Sequence, residues 1–182
     1  MGSGQTLDGL RLPLALLLVS FMVNISASGS FAFILRVVAA PMGLVGSALQ
    51  PVVLRALVSA RSRRARQSLL RRVFGGMLAL GALPMMLVVA FGDVAFTGLL
   101  GPKWTEAGRL AQCFALYLLL NFAVQPLYVV TRAMGWLRAG LVITLIGDAL
   151  FIGTLAAVLS ATADPAMALI GVSIVFTLYY PI

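Results

Sequence analysis

Apolar runs recur along the chain and are separated by short polar links. The runs are Leu12–Ala27, Phe31–Leu54, Val73–Leu100, Leu110–Thr131, Leu137–Ala161 and Pro165–Ile182. Each is read as a helix, because about 20 apolar residues in helical form span the roughly 30 Å of bilayer hydrocarbon. The leading run is the weakest: Ser26–Ser30 breaks it in a turn-like way, so the first helix is short and the second starts near Gly29. The last run ends at Pro181 and Ile182 without a polar tail, and with the short first helix this leads to the expectation that the chain is a piece of something longer. A signal peptide over Leu12–Ala27 is disfavoured, because no small-residue cleavage site followed by a polar mature domain appears.

Composition sharpens the class. The 182 residues are 62% hydrophobic and 10% charged, with a mean hydropathy of +1.08. These values exclude a soluble globular domain. The expected fold is an all-α integral membrane protein, a single transmembrane helical bundle over residues 1–182 with about six helices.

Charge adds an orientation. Thirteen Lys and Arg face five Asp and Glu, a net charge of +8. The arginines concentrate in "RSRRARQSLLRR" (Arg61–Arg72), with Arg55 just before it, so residues 58–72 are read as a basic cytoplasmic linker. Alternation then puts Leu99–Gln112 outside, Arg132–Arg138 inside and Ala161–Pro165 outside, with Arg11 starting the first helix from the inside. The excess charge is thus a topology signal that also touches anionic lipid head groups, and no nucleic-acid partner is expected.

Candidate chemistry is sparse. There is no His and a single Cys, Cys113, so a Cys/His metal site and an intramolecular disulfide are excluded. With no Ser/His pair, phosphate-cradling Gly-rich loop or paired carboxylates, the chain is read as no enzyme and as needing no cofactor. The leading "MGSGQT" formally fits a myristoylation pattern and is read as a chance match.

Polar residues inside apolar runs carry more information, because they are costly there and usually face a bundle interior or a wet cavity. Arg36, Gly43 and Gln50 are spaced by seven on the second helix, with Ala40 and Ser47 filling the same face. Asn121, Gln125, Tyr128 and Arg132 form a second stripe on the fourth helix, and Asp148 lies near the centre of the fifth, one turn after Thr144. Pro41, Pro51, Pro84 and Pro126 interrupt helices and free carbonyls or permit bending. Plainer readings stand beside these: Gly43 and Ser47 suit close helix packing, Asn121 and Gln125 suit interhelical hydrogen bonds, and Arg36 is near enough to the helix start to snorkel. For Asp148 the plain reading is a neutral carboxyl bonded to a neighbouring helix. A cavity role for Arg36 is preferred, since intramembrane charge is functional by default.

The link "LLGPKWTEAGRLAQ" (Leu99–Gln112) resembles one in the oligosaccharide flippase family, the polysaccharide-export branch of the multidrug/oligosaccharidyl-lipid/polysaccharide flippase superfamily, where a helix ends in glycine and a "G-x-x-W-x-x-A" turn opens the next. "FAFILRVVAAPMGLVGSALQPVVLRAL" (Phe31–Leu57) and "NFAVQPLYVVTRAMGW" (Asn121–Trp136) are similar to that family's Arg-then-Pro helix and its helix with a mid-helix Pro and a Gly turn. The resemblance implies a protein of twelve to fourteen helices in two halves around a cavity, of which this chain corresponds to the second half. A separate N-terminal half or a homodimer partner is then expected, in the bacterial cytoplasmic (inner) membrane as a multi-pass protein. It further implies translocation of a polyprenyl-diphosphate-linked oligosaccharide for lipopolysaccharide O-antigen, capsule or exopolysaccharide assembly. On that basis Arg36, Gln50, Asn121, Gln125 and Arg132 are the candidate substrate-binding residues: Arg36 and Arg132 for the diphosphate, Asn121 and Gln125 for sugar hydroxyls. Asp148 is the candidate for coupling to a proton or cation.

In the link itself Gly101 and Pro102 are expected to stop the third helix and Trp104 to anchor at the outer interface. Thr105 reads as the next N-cap, with Glu106 in the first turn and Arg109 within pairing reach of it. The competing readings are a cation-coupled drug exporter or lipid II flippase of the same superfamily, and a non-transporting fragment or partner of a glycan polymerase. A membrane-embedded glycosyltransferase is less favoured, as no external acidic catalytic cluster is present.

Overall fold

The apolar runs wind into helices because a helix satisfies every backbone N–H and C=O within the segment, which long apolar stretches cannot do with water. A computed structural model describes residues 3–60, 62–128, 130, 135 and 137–180, with side chains from Pro13 onward except at Leu137. Among the described residues there is no strand. The helices are α1 Ser3–Met22, α2 Ile25–Ile34, α3 Ala40–Ser59, α4 Arg63–Leu100, α5 Thr105–Val124, α6 Leu137–Thr162 and α7 Pro165–Tyr179. A π turn at Leu35–Ala39 fuses α2 and α3 into one rod, and 3-10 turns at Pro102–Trp104 and Gln125–Tyr128 flank α5. Among the described residues, four stretches are long and apolar enough to cross a membrane: Ile25–Ser59, Arg63–Leu100, Pro102–Tyr128 and Arg138–Thr162. Pro13–Met22 and Pro165–Tyr179 are apolar but shorter. The described chain is helical, with long apolar helices compatible with a membrane protein.

The first break falls earlier than the serines suggest. Asn24 is extended (φ −172°, ψ 168°) and its Oδ1 accepts from the Ala27 N–H at 2.7 Å, capping α2. Ser26–Ser30 are therefore helical, and the Ser28 hydroxyl donates to the Leu16 carbonyl of α1 at 3.0 Å. The π turn has a local cause. Pro41 lacks an N–H, and its ring would clash with the Val37 carbonyl in a regular helix. The ladder widens just before it, with the Ala40 N–H reaching back to the Leu35 carbonyl.

The basic segment, expected as a link, is mostly helix. Ser62 accepts from the Ala65 N–H at 3.1 Å and caps α4, so the arginines from Arg63 onward form its first turns. Arg66 folds back to donate to the Ala60 carbonyl at 3.1 Å, closing the short turn between α3 and α4. Leu69, Leu70 and Val73 pack there against Val53 and Leu57 of α3.

α5 is the central helix. Half of its apolar window is buried, against 11% for the Ile25–Ser59 rod and 17% for α4 and α6. It packs on α4, α2 and α7; α7 packs on α6, and α1 bridges α2 and α6. Phe114 and Tyr117 of α5 stack at 4.6 Å and meet Phe31, Phe151 and Phe176 from α2, α6 and α7 at 5.0–6.2 Å. In lipid such contacts matter because helix association rests on packing and not on removal from water. α4 and α5 approach closely at glycine: a methyl at Gly108 would stand 2.5 Å from the Gly92 carbonyl oxygen.

Candidate functional site

The expected Arg36–Gly43–Gln50 stripe is split in two. Gln125 lies over Gly43 and Gly46 of α3, where a methyl at Gly46 would meet the Gln125 Oε1 at 2.5 Å. Gln50 Nε2 donates to the Gln125 carbonyl at 3.3 Å. Gly43, Gly46 and Gln50 thus form a docking face for the turn that Pro126, itself buried, introduces after α5. Ser47 is exposed and bonds back to the Leu44 carbonyl at 3.0 Å, and Ala40 is exposed too. Arg36 leaves this face altogether. A spacing of seven holds one face only in an unbroken α-helix, and the extra residue of the π turn rotates the chain between Arg36 and Gly43. Arg36 is exposed, and among the described residues it has no hydrogen-bond or ion-pair partner. It stands one turn beyond Phe33, whose ring packs on Trp104 at 3.9 Å.

The second stripe also divides. Asn121 Oδ1 accepts from the Tyr180 hydroxyl at 3.3 Å, whereas Gln125 turns to α3. Tyr128 is exposed, and Arg132 lies outside the described residues. Asp148 is half-buried on α6 beside Gly147, over which the Tyr179 ring lies. The Tyr179 hydroxyl donates to the Ile143 carbonyl at 2.6 Å. The rings of Tyr179 and Tyr180 are 5.7 Å apart. The C-terminal end of α7 therefore joins Asn121 to the Asp148 neighbourhood. Sequence reading missed this pair, although two tyrosines closing an apolar run carry the signal of aromatic residues with one polar end.

A second polar contact was also missed. Asp93 sits inside α4, two turns before its end. Its carboxylate accepts from Gln112 Nε2 at 3.3 Å, and the same amide nitrogen donates to the Val89 carbonyl at 3.1 Å. The Gly92 and Gly108 crossing is what brings the two helices near enough for this.

The α4–α5 link follows the expected stop but not the expected cap. Gly101 adopts φ +96°, which favours glycine, and its N–H donates to the Thr97 carbonyl at 2.9 Å. The N-cap position of α5 is Trp104, with no side-chain cap bond. Thr105 is already helical, and its hydroxyl donates to the Pro102 carbonyl at 2.8 Å and lies 2.8 Å from the Thr97 hydroxyl. The Trp104 indole is half-buried against Phe33, with Lys103 Nζ 5.8 Å from its centre. Glu106 and Arg109 are both exposed and form no ion pair with each other. Cys113 is half-buried, and its carbonyl accepts from the Ser173 hydroxyl at 3.2 Å. Among the described residues no three His, Cys, Asp or Glu side chains gather where a metal ion would sit.

The arrangement offers an exposed guanidinium on the flank of an apolar rod, together with amide and phenol groups engaged between helices. No protein-family model, no curated protein and no solved structure matches the chain.

Proposed function

We propose that the chain is a half-transporter that moves a polyprenyl-diphosphate-linked oligosaccharide across the bacterial cytoplasmic membrane for surface polysaccharide assembly. The observation that supports this most is Arg36, an exposed arginine without a described partner at the π turn of a 35-residue apolar rod. A cation held there is expensive unless water or an anion meets it, and π turns are frequent at functional sites. A lipid diphosphate supplies the anion and leaves its tail in the bilayer. In this reading Arg36 meets the diphosphate, with Arg132 serving it nearer the cytoplasmic side. Gln50 and Asn121 exchange their interhelical bonds, and Gln125 its packing on α3, for sugar hydroxyls as the helices move. Asp148, beside Tyr179, couples that movement to a proton or cation. A second copy, or a chain carrying the other half, completes the cavity.

The test is the lipid-linked glycan content of cells lacking the chain, resolved by membrane leaflet. Repeat units stranded on the cytoplasmic leaflet and released by re-expression support translocation. Normal surface glycan with no stranded intermediate contradicts it. Transport by Asp148→Asn should lose its dependence on pH; an unchanged pH profile removes Asp148 from the coupling role.

A further inference from the structure

The basic end of α4 is built as a one-sided surface. Arg64, Gln67, Ser68, Arg71 and Arg72 follow the three-and-four spacing of a single helix face and line a shallow open cleft of about 390 Å³. The opposite side of the same turns carries Leu69, Leu70 and Val73 onto Val53 and Leu57 of α3, so the arginines point away from the protein. Arg64, Arg71 and Arg72 are exposed, as is Arg55 nearby. No Asp or Glu occurs between Asp8 and Asp93, so nothing in this stretch of sequence neutralises them.

Position narrows the counter-ion. The apolar run Val73–Leu100 rises about 42 Å as a helix, more than the roughly 30 Å hydrocarbon core needs. With that run in the bilayer, the cleft lies in the headgroup layer. The helix surface below it is also suited to acyl chains. Gly75 and Gly76 are exposed, with open space where a side chain would be, and Leu83 and Met86, three turns on from Arg72 and Gly75, continue that side as exposed apolar positions.

We propose that this cleft holds the phosphate of an anionic phospholipid, with its chains lying over Gly75, Gly76, Leu83 and Met86. Guanidinium groups grip phosphate oxygens in a two-pronged fashion, while the Gln67 amide and Ser68 hydroxyl donate further hydrogen bonds. A zwitterionic choline lipid presents a quaternary ammonium to the same arginines and is disfavoured. Inorganic phosphate shares the anion but has nothing to lay along that side.

The experiment titrates the purified full chain in detergent with a short-chain phosphatidylglycerol and its phosphatidylcholine counterpart. Phosphatidylglycerol should bind more tightly, and the triple variant Arg64→Gln/Arg71→Gln/Arg72→Gln should weaken it by about a hundredfold. The matching Arg→Lys triple should retain much of the preference, and unchanged helix content in both variants keeps folding out of the comparison. Gly76→Leu, which alters no charge, should also weaken the lipid. Equal affinity for the two lipids, or unchanged affinity in the Gln triple, overturns the proposal. So does competition by inorganic phosphate at the lipid's own concentration, which marks a free-anion site. An oligonucleotide bound as tightly as phosphatidylglycerol overturns it in favour of nucleic acid.

Discussion

Gly108 shows how much one hydrogen atom decides. Its methylated form would press into the backbone of Gly92 and Asp93, and backbone cannot swing aside as a side chain can. Gly108→Ala should therefore lower stability by about 1–3 kcal/mol, read as a lower melting temperature in detergent. Gly98, also helical but facing open space, is the control: Gly98→Ala should raise stability by about 0.5–1 kcal/mol through helix propensity. Equal effects at the two sites would contradict the close crossing. The sequence shows both glycines and does not distinguish them, because the difference lies in what the neighbouring helix places opposite. The same holds for Gln125, whose polarity is visible in the sequence but whose partner on α3 is not. Asp93 and Gln112 were legible as residues and illegible as a pair, since nineteen positions separate them along the chain.

At the scale of elements, the apolar runs predict the helices because length and hydrophobicity act over many residues at once. The breaks depend on single side chains. Asn24 moves the first break ahead of the serines by capping α2, and Ser62 turns a basic link into the start of α4. The π turn before Pro41 changes more, because one extra residue rotates Arg36 off the face that its spacing predicts. Packing between elements centres on the rings around α5. Phe151 is fully buried on α6 and touches Phe114, Tyr117 and Phe176. Phe151→Ala should cost about 3 kcal/mol, whereas Leu145→Ala on the exposed side of the same helix should cost little. Thermal unfolding of both variants in one detergent checks this, and comparable losses would place α6 differently against α5 and α7.

Across the whole molecule, charge and apolar length are arranged asymmetrically. Arginines cluster at the α3–α4 turn, while the α4–α5 link packs Trp104 on Phe33 and closes with threonine hydroxyls. By the positive-inside tendency the arginine end is expected on the cytoplasmic side. A cysteine at Ser62 should then react only with reagent supplied from inside, and one at Thr105 only from outside. Labelling of Thr105→Cys solely from inside would reverse the orientation. Membrane character was legible from composition alone, and the long helices agree with it. The cargo is not legible in the same way, because the residues proposed to meet it are an exposed arginine and amides now bonded between helices.

Arg36 therefore carries the central claim, and the most direct measurement is leaflet-resolved lipid-linked glycan in cells expressing Arg36→Ala or Arg36→Lys at normal levels. Stranded repeat units with Arg36→Ala and normal transfer with Arg36→Lys are the expected result, since the lysine keeps the charge. Full transfer by Arg36→Ala would contradict the account.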